Sequence, residues 1–98
     1  MSRRTLYRCV MLSSQEGDPL RLEYYLLTDD AHFDGGYLEV YGAEILLYRP
    51  GVRKPEIARV RGVTPMGGRI LHVLQQLSDN AVTPVCLKEV MDSILAGT

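Results

Sequence analysis

The spacing of apolar residues changes partway along this chain, and that change restricts the fold more than any other feature. Between residues 20 and 27 the side chains follow a period of two, which is typical of a β-strand. From Met66 to Leu95 apolar residues recur every three or four positions, as they do in amphipathic helices. Because the strand-like pattern comes first and the helical pattern last, the sequence predicts an α+β fold.

Four strand-like segments precede the helices, at residues 5–12, 20–27, 37–48 and 56–63. Clusters of turn-forming residues separate them at 13–19, 28–36 and 49–55, so we predict an antiparallel four-stranded meander. The alternation slips in the third segment, where an unbroken register would turn Glu44 inward and Ala43 and Ile45 outward. One extra residue at Gly42 would restore the order, and a β-bulge is therefore predicted there.

The two helical segments share the same predicted start. Thr64 and Pro65 precede the first, Thr83 and Pro84 precede the second, and in both cases we expect threonine as N-cap and proline at the first helical position. Asn80 is expected to end the first helix in a left-handed conformation. The short link predicts two antiparallel C-terminal helices packed on one face of the sheet, in the order ββββαα.

Length and composition predict a single domain over residues 1–98. The chain is 46% hydrophobic and 23% charged, which is ordinary globular usage, and a chain of 98 residues buries one core. No apolar run reaches the roughly 18 residues that a membrane span needs, and the N-terminal stretch does not resemble a signal peptide. The only two cysteines, Cys9 and Cys86, lie far apart, so a cytoplasmic location is expected.

Charge is unevenly distributed although the formal net charge is −1. Residues 13–44 carry a net charge of −7 and residues 45–69 carry +5. Neighbouring strands of opposite sign pair well across a sheet, and a polar binding surface is the alternative interpretation. The exposed face of the second helix is net acidic, which argues against DNA binding by the helix pair, and nucleic acid is not an expected partner.

The chain contains no recognisable catalytic set, so enzymatic activity is not expected. Residues 30–35 begin like a calcium loop, but His32 occupies a position that requires an oxygen ligand, and Tyr41 occupies the twelfth position, where a bidentate glutamate is required. Cys86 lies near a helix start, where the dipole lowers a thiol pKa, but no base accompanies it. No metal site and no cofactor are predicted.

One alternative site lies at the start of the first helix, formed by Thr64, Gly67, Gly68 and Arg69. Free N–H groups and the positive end of the helix dipole favour a phosphate or carboxylate there, including a phosphoester in an enzymatic site. Close packing of the glycine backbone on the sheet explains the same residues equally well.

The leading functional hypothesis concerns the sheet face turned away from the helices. By alternation, this face is expected to carry five tyrosines: Tyr7, Tyr25, Tyr37, Tyr41 and Tyr48. Tyrosine suits any half-exposed strand, but it is also enriched at interaction hot spots. We therefore expect a non-enzymatic protein-interaction domain that docks a protein partner or forms a homodimer through this face.

Three segments resemble a family of small uncharacterised bacterial proteins, a domain of unknown function of about one hundred residues in Gram-positive anaerobes. They are EYYL at 23–26, YGAEI at 41–45 and VTP at 82–84, the last followed by Leu87 and Val90. The resemblance covers most of the chain and implies a bacterial cytoplasmic setting. It implies no activity, ligand or catalytic residue.

Overall fold

A computed structural model describes residues 2–13 and 17–97. Its elements are β1 (Arg3–Ser13), β2 (Pro19–Phe33), β3 (Gly36–Tyr48), β4 (Glu56–Thr64), α1 (Gly67–Asp79), a 3₁₀ turn (Pro84–Cys86) and α2 (Leu87–Ala96). The four strands form one antiparallel sheet in the order β1-β2-β3-β4. The predicted ββββαα architecture is confirmed. Part of the predicted first turn, residues 14–16, lies outside the described residues.

The hydrophobic core lies between one face of the sheet and the two helices. Its buried members come from β2, β3, α1 and the C-terminal segment: Leu22, Tyr24, Ala43, Ile45, Leu47, Ile70, Val73, Leu74, Leu77, Val82, Leu87 and Met91. Arg69 at the start of α1 donates a hydrogen bond to the carbonyl of Leu95 at the end of α2, 3.2 Å away. The helices therefore run antiparallel on one face, as predicted.

Tyr24 links the sheet to the helical layer. Its side chain is fully buried, and its hydroxyl donates a hydrogen bond of 2.9 Å to the carbonyl of Val82, just before the 3₁₀ turn. Burial raises the pKa of Tyr24 to about 12, because the charged phenolate oxygen would be held away from water. A buried phenol with a satisfied hydroxyl thus holds the chain where it passes from α1 to α2.

The second hairpin is longer than the sequence indicated. The predicted turn over 28–36 was wrong, because β2 continues to Phe33 and only Asp34 and Gly35 form the turn. Gly35 has a φ of 102°, which glycine adopts without steric cost. Polar residues such as Asp29 and Asp30 were taken as turn formers, yet they pair regularly with Val40 and Glu39 across the two strands.

A bulge was predicted in β3 at Gly42, but the extra residues lie in the neighbouring strand β4. Pairing between β2 and β3 is continuous past Gly42, so the alternation of β3 is never reset. The register does shift in the pairing with β4, where one residue of β3 lies opposite three residues of β4, including Gly62 with a φ of 65°. The extra residues therefore belong to β4, and Glu44 stays on the face opposite Ala43 and Ile45.

Both helices begin later than predicted. Thr64 ends β4, and its hydroxyl accepts a hydrogen bond of 3.1 Å from the N–H of Met66, which is the residue preceding α1. Thr83 and Pro84 begin the 3₁₀ turn rather than α2, and Thr83 makes no side-chain cap hydrogen bond. The threonine hydroxyls are thus one turn too far from the helices to cap them.

The residue with a left-handed conformation at the end of α1 is Ala81, one position after the predicted Asn80. Asn80 has a φ of −99°, whereas Ala81 has a φ of 49°. The N–H of Val82 donates to the carbonyl of Leu77 at 3.0 Å, and the N–H of Ala81 donates to that of Ser78 at 3.2 Å. These two bonds define a Schellman motif, in which the left-handed position is usually glycine.

Replacing Ala81 with glycine is expected to stabilise the protein. A Cβ in the left-handed region costs roughly 1–2 kcal/mol, and the extra freedom of unfolded glycine offsets part of that. We expect Ala81→Gly to raise the free energy of unfolding by about 0.5–1 kcal/mol in urea denaturation. Ala96→Gly, at the last residue of α2, is the control and should lower it by up to about 1 kcal/mol. A lower free energy of unfolding for Ala81→Gly would contradict the interpretation that the backbone at Ala81 is strained.

Candidate interaction surface

The sheet face without helices has its own ordered layer of side chains, here called the open face. Cross-strand partners point to the same side of a sheet, so the strand pairing identifies its members. They are Arg4, Leu6, Cys9 and Met11 of β1, Arg21, Glu23, Tyr25, Leu27 and Asp29 of β2, Glu44, Leu46 and Tyr48 of β3, and Ile57 and Arg59 of β4. Arg61 joins them through an ion pair with Asp29 of 3.1 Å.

Glu44 lies at the centre of the open face, and its side chain is only 3% exposed. Arg4 on one flanking side donates to Oε1 at 2.5 Å, and Arg59 on the other donates to Oε2 at 2.8 Å. Burial alone would raise the pKa of Glu44, but the hydrogen bonds from Arg4 and Arg59 outweigh it and hold the pKa below its usual value. The carboxylate therefore stays ionised and links three strands of the sheet.

Two tyrosine rings support the arginines of this layer. The guanidinium of Arg4 lies 3.6 Å from the ring centroid of Tyr25, and that of Arg21 lies 4.2 Å from the ring of Tyr48. The hydroxyl of Tyr25 donates to Glu23 at 2.8 Å, and Arg21 forms an ion pair with the same carboxylate at 3.3 Å. The hydrogen bond to Glu23 is the main cause of the raised pKa of Tyr25. Stacking and ion pairing together hold both guanidinium groups in place.

Charges of the two signs lie at different depths in the open face. The carboxylates of Glu23, Glu44 and Asp29 are 15%, 3% and 21% exposed. The four arginines that pair with them, Arg4, Arg21, Arg59 and Arg61, are 45–50% exposed. The outermost charge of this surface is therefore positive, although the chain as a whole is slightly acidic.

Apolar side chains project from the open face between the arginines. Leu6, Met11 and Ile57 are 52%, 61% and 50% exposed, and Cys9 is exposed and free. Leu27 and Leu46 are buried beneath the layer, at 1% and 5% exposure. The open face thus combines guanidinium groups, aromatic rings and apolar side chains, the residue types that are enriched at protein interfaces.

The five tyrosines predicted for one surface are divided among three places. Only Tyr25 and Tyr48 lie on the open face. Tyr7 and Tyr41 pack against the core. Tyr41 shares the face of Ala43 because β3 contains no bulge in its pairing with β2. Tyr7 lies at a register shift of β1, which interrupts the alternation on which its prediction depended. Tyr37 lies near the tip of the second hairpin, 6.0 Å from the ring of His32. Whether any of them contacts a partner stays a prediction.

The sequence did not identify the charge layer itself. Glu44 was the one residue that conflicted with the apolar alternation of its strand, and we interpreted the conflict as a bulge. The sequence feature that could have indicated this layer is a carboxylate within the apolar run 43–47, together with arginines in both outer strands. Which arginines reach Glu44 depends on strand order and register, which only the folded sheet defines.

The residues of the predicted anion site are already engaged in local contacts. The hydroxyl of Thr64 accepts the N–H of Met66, and Arg69 donates to Leu95 at the far helix end. A Cβ added to Gly67 would contact the ring of Tyr41 at 4.0 Å, whereas one added to Gly68 would meet open space. A distance of 4.0 Å is an ordinary van der Waals contact, so close packing requires glycine at neither position, and anion binding at this helix start stays a prediction.

Neither a metal site nor a membrane-spanning helix is found among residues 2–13 and 17–97. No three histidine, cysteine, aspartate or glutamate side chains of this part of the chain are grouped so as to hold a metal ion. None of its helices is both long and apolar enough to cross a membrane.

Stability should depend on pH through Glu44. Because its pKa is depressed in the folded state, its contribution is present above the unfolded pKa of about 4.3 and is lost as pH falls through the folded pKa. We expect Glu44→Gln to lower the free energy of unfolding by about 2 kcal/mol at neutral pH, as for a buried hydrogen bond to a charged group. The difference from the wild type should shrink below about pH 4 in denaturation series. A difference that is constant with pH would contradict this role.

Comparison with known proteins assigns the chain to a family. The model of DUF6514, a family of unknown function, matches residues 3–97. No curated protein and no solved structure matches this chain.

Proposed function

This chain belongs to DUF6514, a family of unknown function, and we propose that it is a non-enzymatic interaction domain that docks an acidic protein segment through the open face. The observation that carries the proposal is the separation of charge by depth. Four half-exposed arginines lie above three largely buried carboxylates, so a partner meets guanidinium groups first. Arginine is enriched in interface hot spots, and planar guanidinium groups recognise carboxylates with two hydrogen bonds.

Pre-organisation also supports docking at this face. Arg4 and Arg21 already lie over tyrosine rings and already pair with carboxylates. Ordering a flexible side chain on binding costs roughly 0.5–1.5 kcal/mol, and that cost is reduced where the side chain is held beforehand. Leu6 and Ile57 supply apolar area beside these arginines, so the partner segment is expected to carry apolar or aromatic residues among its carboxylates.

We place this function in the cytoplasm of a bacterium. The resemblance of the three sequence segments supports the bacterial origin. Cys9 and Cys86 are both free, which is the state that a reducing compartment maintains. The partner is either another protein or a second copy of the chain.

Fluorescence anisotropy with a labelled random copolymer of glutamate and tyrosine tests the proposal. The copolymer should bind the wild type, and binding should weaken with salt because it depends on charge. Replacing Leu6 and Ile57 together with aspartate should weaken binding about tenfold or more, since both positions lie on the open face. Amide chemical shifts of the wild type should change in the strands rather than in α1 and α2.

Leu71→Asp is the matched control, because Leu71 is 47% exposed but lies on α1. It should leave binding of the copolymer unchanged. Absence of binding, or equal losses in the control and the open-face variant, would overturn the proposal. Preferential binding of a single-stranded oligothymidylate would also overturn it, and would indicate a nucleic-acid partner instead.

A further inference from the structure

The second hairpin extends past the rest of the sheet as a two-stranded arm, here defined as residues 29–40. Pairing with β1 ends at Thr28 and pairing with β4 ends at Tyr41, so the arm has no strand on either side. The molecule is correspondingly elongated, with extents of 55 × 30 × 18 Å. A two-stranded hairpin by itself is marginally stable in water, so a partner strand or surface would stabilise this arm.

The arm is acidic and exposes aromatic side chains. It contains Asp29, Asp30, Asp34 and Glu39 and no lysine or arginine. Arg61 and Arg3, which lie outside the arm, pair with Asp29 and Glu39 at its base, so Asp34 is the carboxylate at the tip. Its large exposed apolar residues are Phe33, Tyr37 and Leu38, which are 54%, 63% and 39% exposed. Asp34 lies at the turn beside Phe33. The arm tip is therefore an acidic aromatic segment, the class of ligand proposed above for the open face.

The opposite end of the sheet contains a cavity with complementary chemistry, here called the notch. Its volume is about 210 Å³, and it is lined by Met11, Pro19, Arg21, Tyr48, Arg49 and Pro50. A cavity of about 150 Å³ holds benzene, so one aromatic side chain fits. The turn after β3 adds Arg53 and Lys54 and contains no carboxylate in residues 49–54, whereas Asp18 directly precedes the lining residue Pro19. Three notch residues, Met11, Arg21 and Tyr48, belong to the open face.

The arm of one molecule cannot reach its own notch. Gly36 and Tyr48 lie at the two ends of β3, and a strand of that length spans roughly 40 Å at 3.3 Å per residue. The intervening sheet is rigid because its inner strands are paired on both sides. An arm seated in a notch must therefore come from a second copy of the chain.

We propose that this domain self-associates head to tail, with the arm tip of one copy seated in the notch of the next. The inference rests on the proposed function and identifies its partner as the chain itself. Phe33 occupies the space between Tyr48 and the prolines, and Asp34 meets the cations at 49–54. Arg49 already pairs with Glu56 at 3.2 Å, but both side chains are at least half exposed, so this pair is weak and exchangeable. With successive copies aligned head to tail, this contact is heterologous and generates chains or rings.

Analytical ultracentrifugation of the purified chain tests the inference. At about 50 mM salt, the average mass of the wild type should rise with concentration beyond that of a dimer, and it should fall at about 500 mM salt. An arm variant, Phe33→Ser with Asp34→Lys, should remain monomeric. A notch variant, Arg53→Glu with Lys54→Glu, should also remain monomeric.

Mixing the two variants gives the decisive result. The arm variant retains an intact notch and the notch variant retains an intact arm, so an equal mixture should form dimers and nothing larger. Val85→Ser with Asp92→Lys is the matched control, because both residues are exposed on the helical side, and it should assemble like the wild type. Circular dichroism checks that every variant is folded.

A wild type that stays monomeric at all concentrations would overturn the inference, as would a mixture that forms no dimer or variants that assemble normally. The copolymer experiment separates the two proposals. If a strictly monomeric wild type binds the copolymer, the proposal of an acidic partner is supported, and a second copy of the chain is excluded as that partner. Absence of copolymer binding removes the proposed function itself.

Discussion

Replacing Gly42 with alanine is expected to lower the free energy of unfolding by about 3 kcal/mol, at the upper end of the usual cost of overpacking. A Cβ at this buried position would overlap the carbonyl oxygen of Val60 and lie 2.9 Å from the Cα of Arg61. Both atoms belong to the backbone of β4, which cannot rotate away as a side chain can. Urea denaturation should show the loss as a lower midpoint with an unchanged slope.

Gly68→Ala is the matched control for this prediction. A Cβ at Gly68 would meet no atom within 4 Å, and the residue lies in the first turn of α1. Alanine is a better helix former than glycine by up to about 1 kcal/mol, so this variant should be as stable as the wild type or more stable. Equal effects of the two substitutions would show that close approach of β4 is not the reason for glycine at position 42.

Glu44→Lys is the second substitution for which a large loss is expected. It removes the carboxylate shared by Arg4 and Arg59 and places a third cation between them in a site that is 3% exposed. Breaking a buried ion pair typically costs about 3–5 kcal/mol, because a charge is left without compensation. We expect a loss of at least about 3 kcal/mol by denaturation, and raised salt should recover only part of it because buried charges are poorly screened.

Glu56→Lys provides the comparison for Glu44→Lys. Glu56 also pairs with an arginine, Arg49, but both side chains are at least half exposed. Exposed pairs contribute roughly 0–1 kcal/mol, so this charge reversal should be nearly neutral for stability. If the two reversals cost the same, the burial of Glu44 would not be the source of the effect.

Local patterns were sufficient to predict the elements and their order. Period-two alternation in β2 and helical spacing from Ile70 to Met91 both come from residues that line one core. Burial of an apolar face imposes these periods wherever the chain packs, so the periods are visible in the sequence. The antiparallel helices followed from the short link between them, and the family of unknown function was also recognisable from local segments.

Side-chain direction near the irregular positions was not predictable. A slip of one residue turns every later side chain to the opposite face, and Gly42 offered no way to decide which strand contained the extra residues. The structure places them in β4, and this moves Tyr41 to the core side, whereas Glu44 points away from the core as predicted. The turn at 28–36 was wrong for a related reason, since aspartates there are stabilised as strand residues by contacts such as Asp29 with Arg61.

By itself, the sequence determined the ββββαα architecture, the apolar spacing of β2 and of the helices, and the uneven distribution of charge along the chain. The tertiary structure alone decided which charges meet, because Arg4, Glu44 and Arg59 come together only through the register of three strands. It also placed the acidic arm and the notch lined by Arg21 and Arg49 at opposite ends of one elongated sheet. Periodicity reports how each residue faces a core, whereas contacts between distant residues depend on pairing that no local pattern encodes.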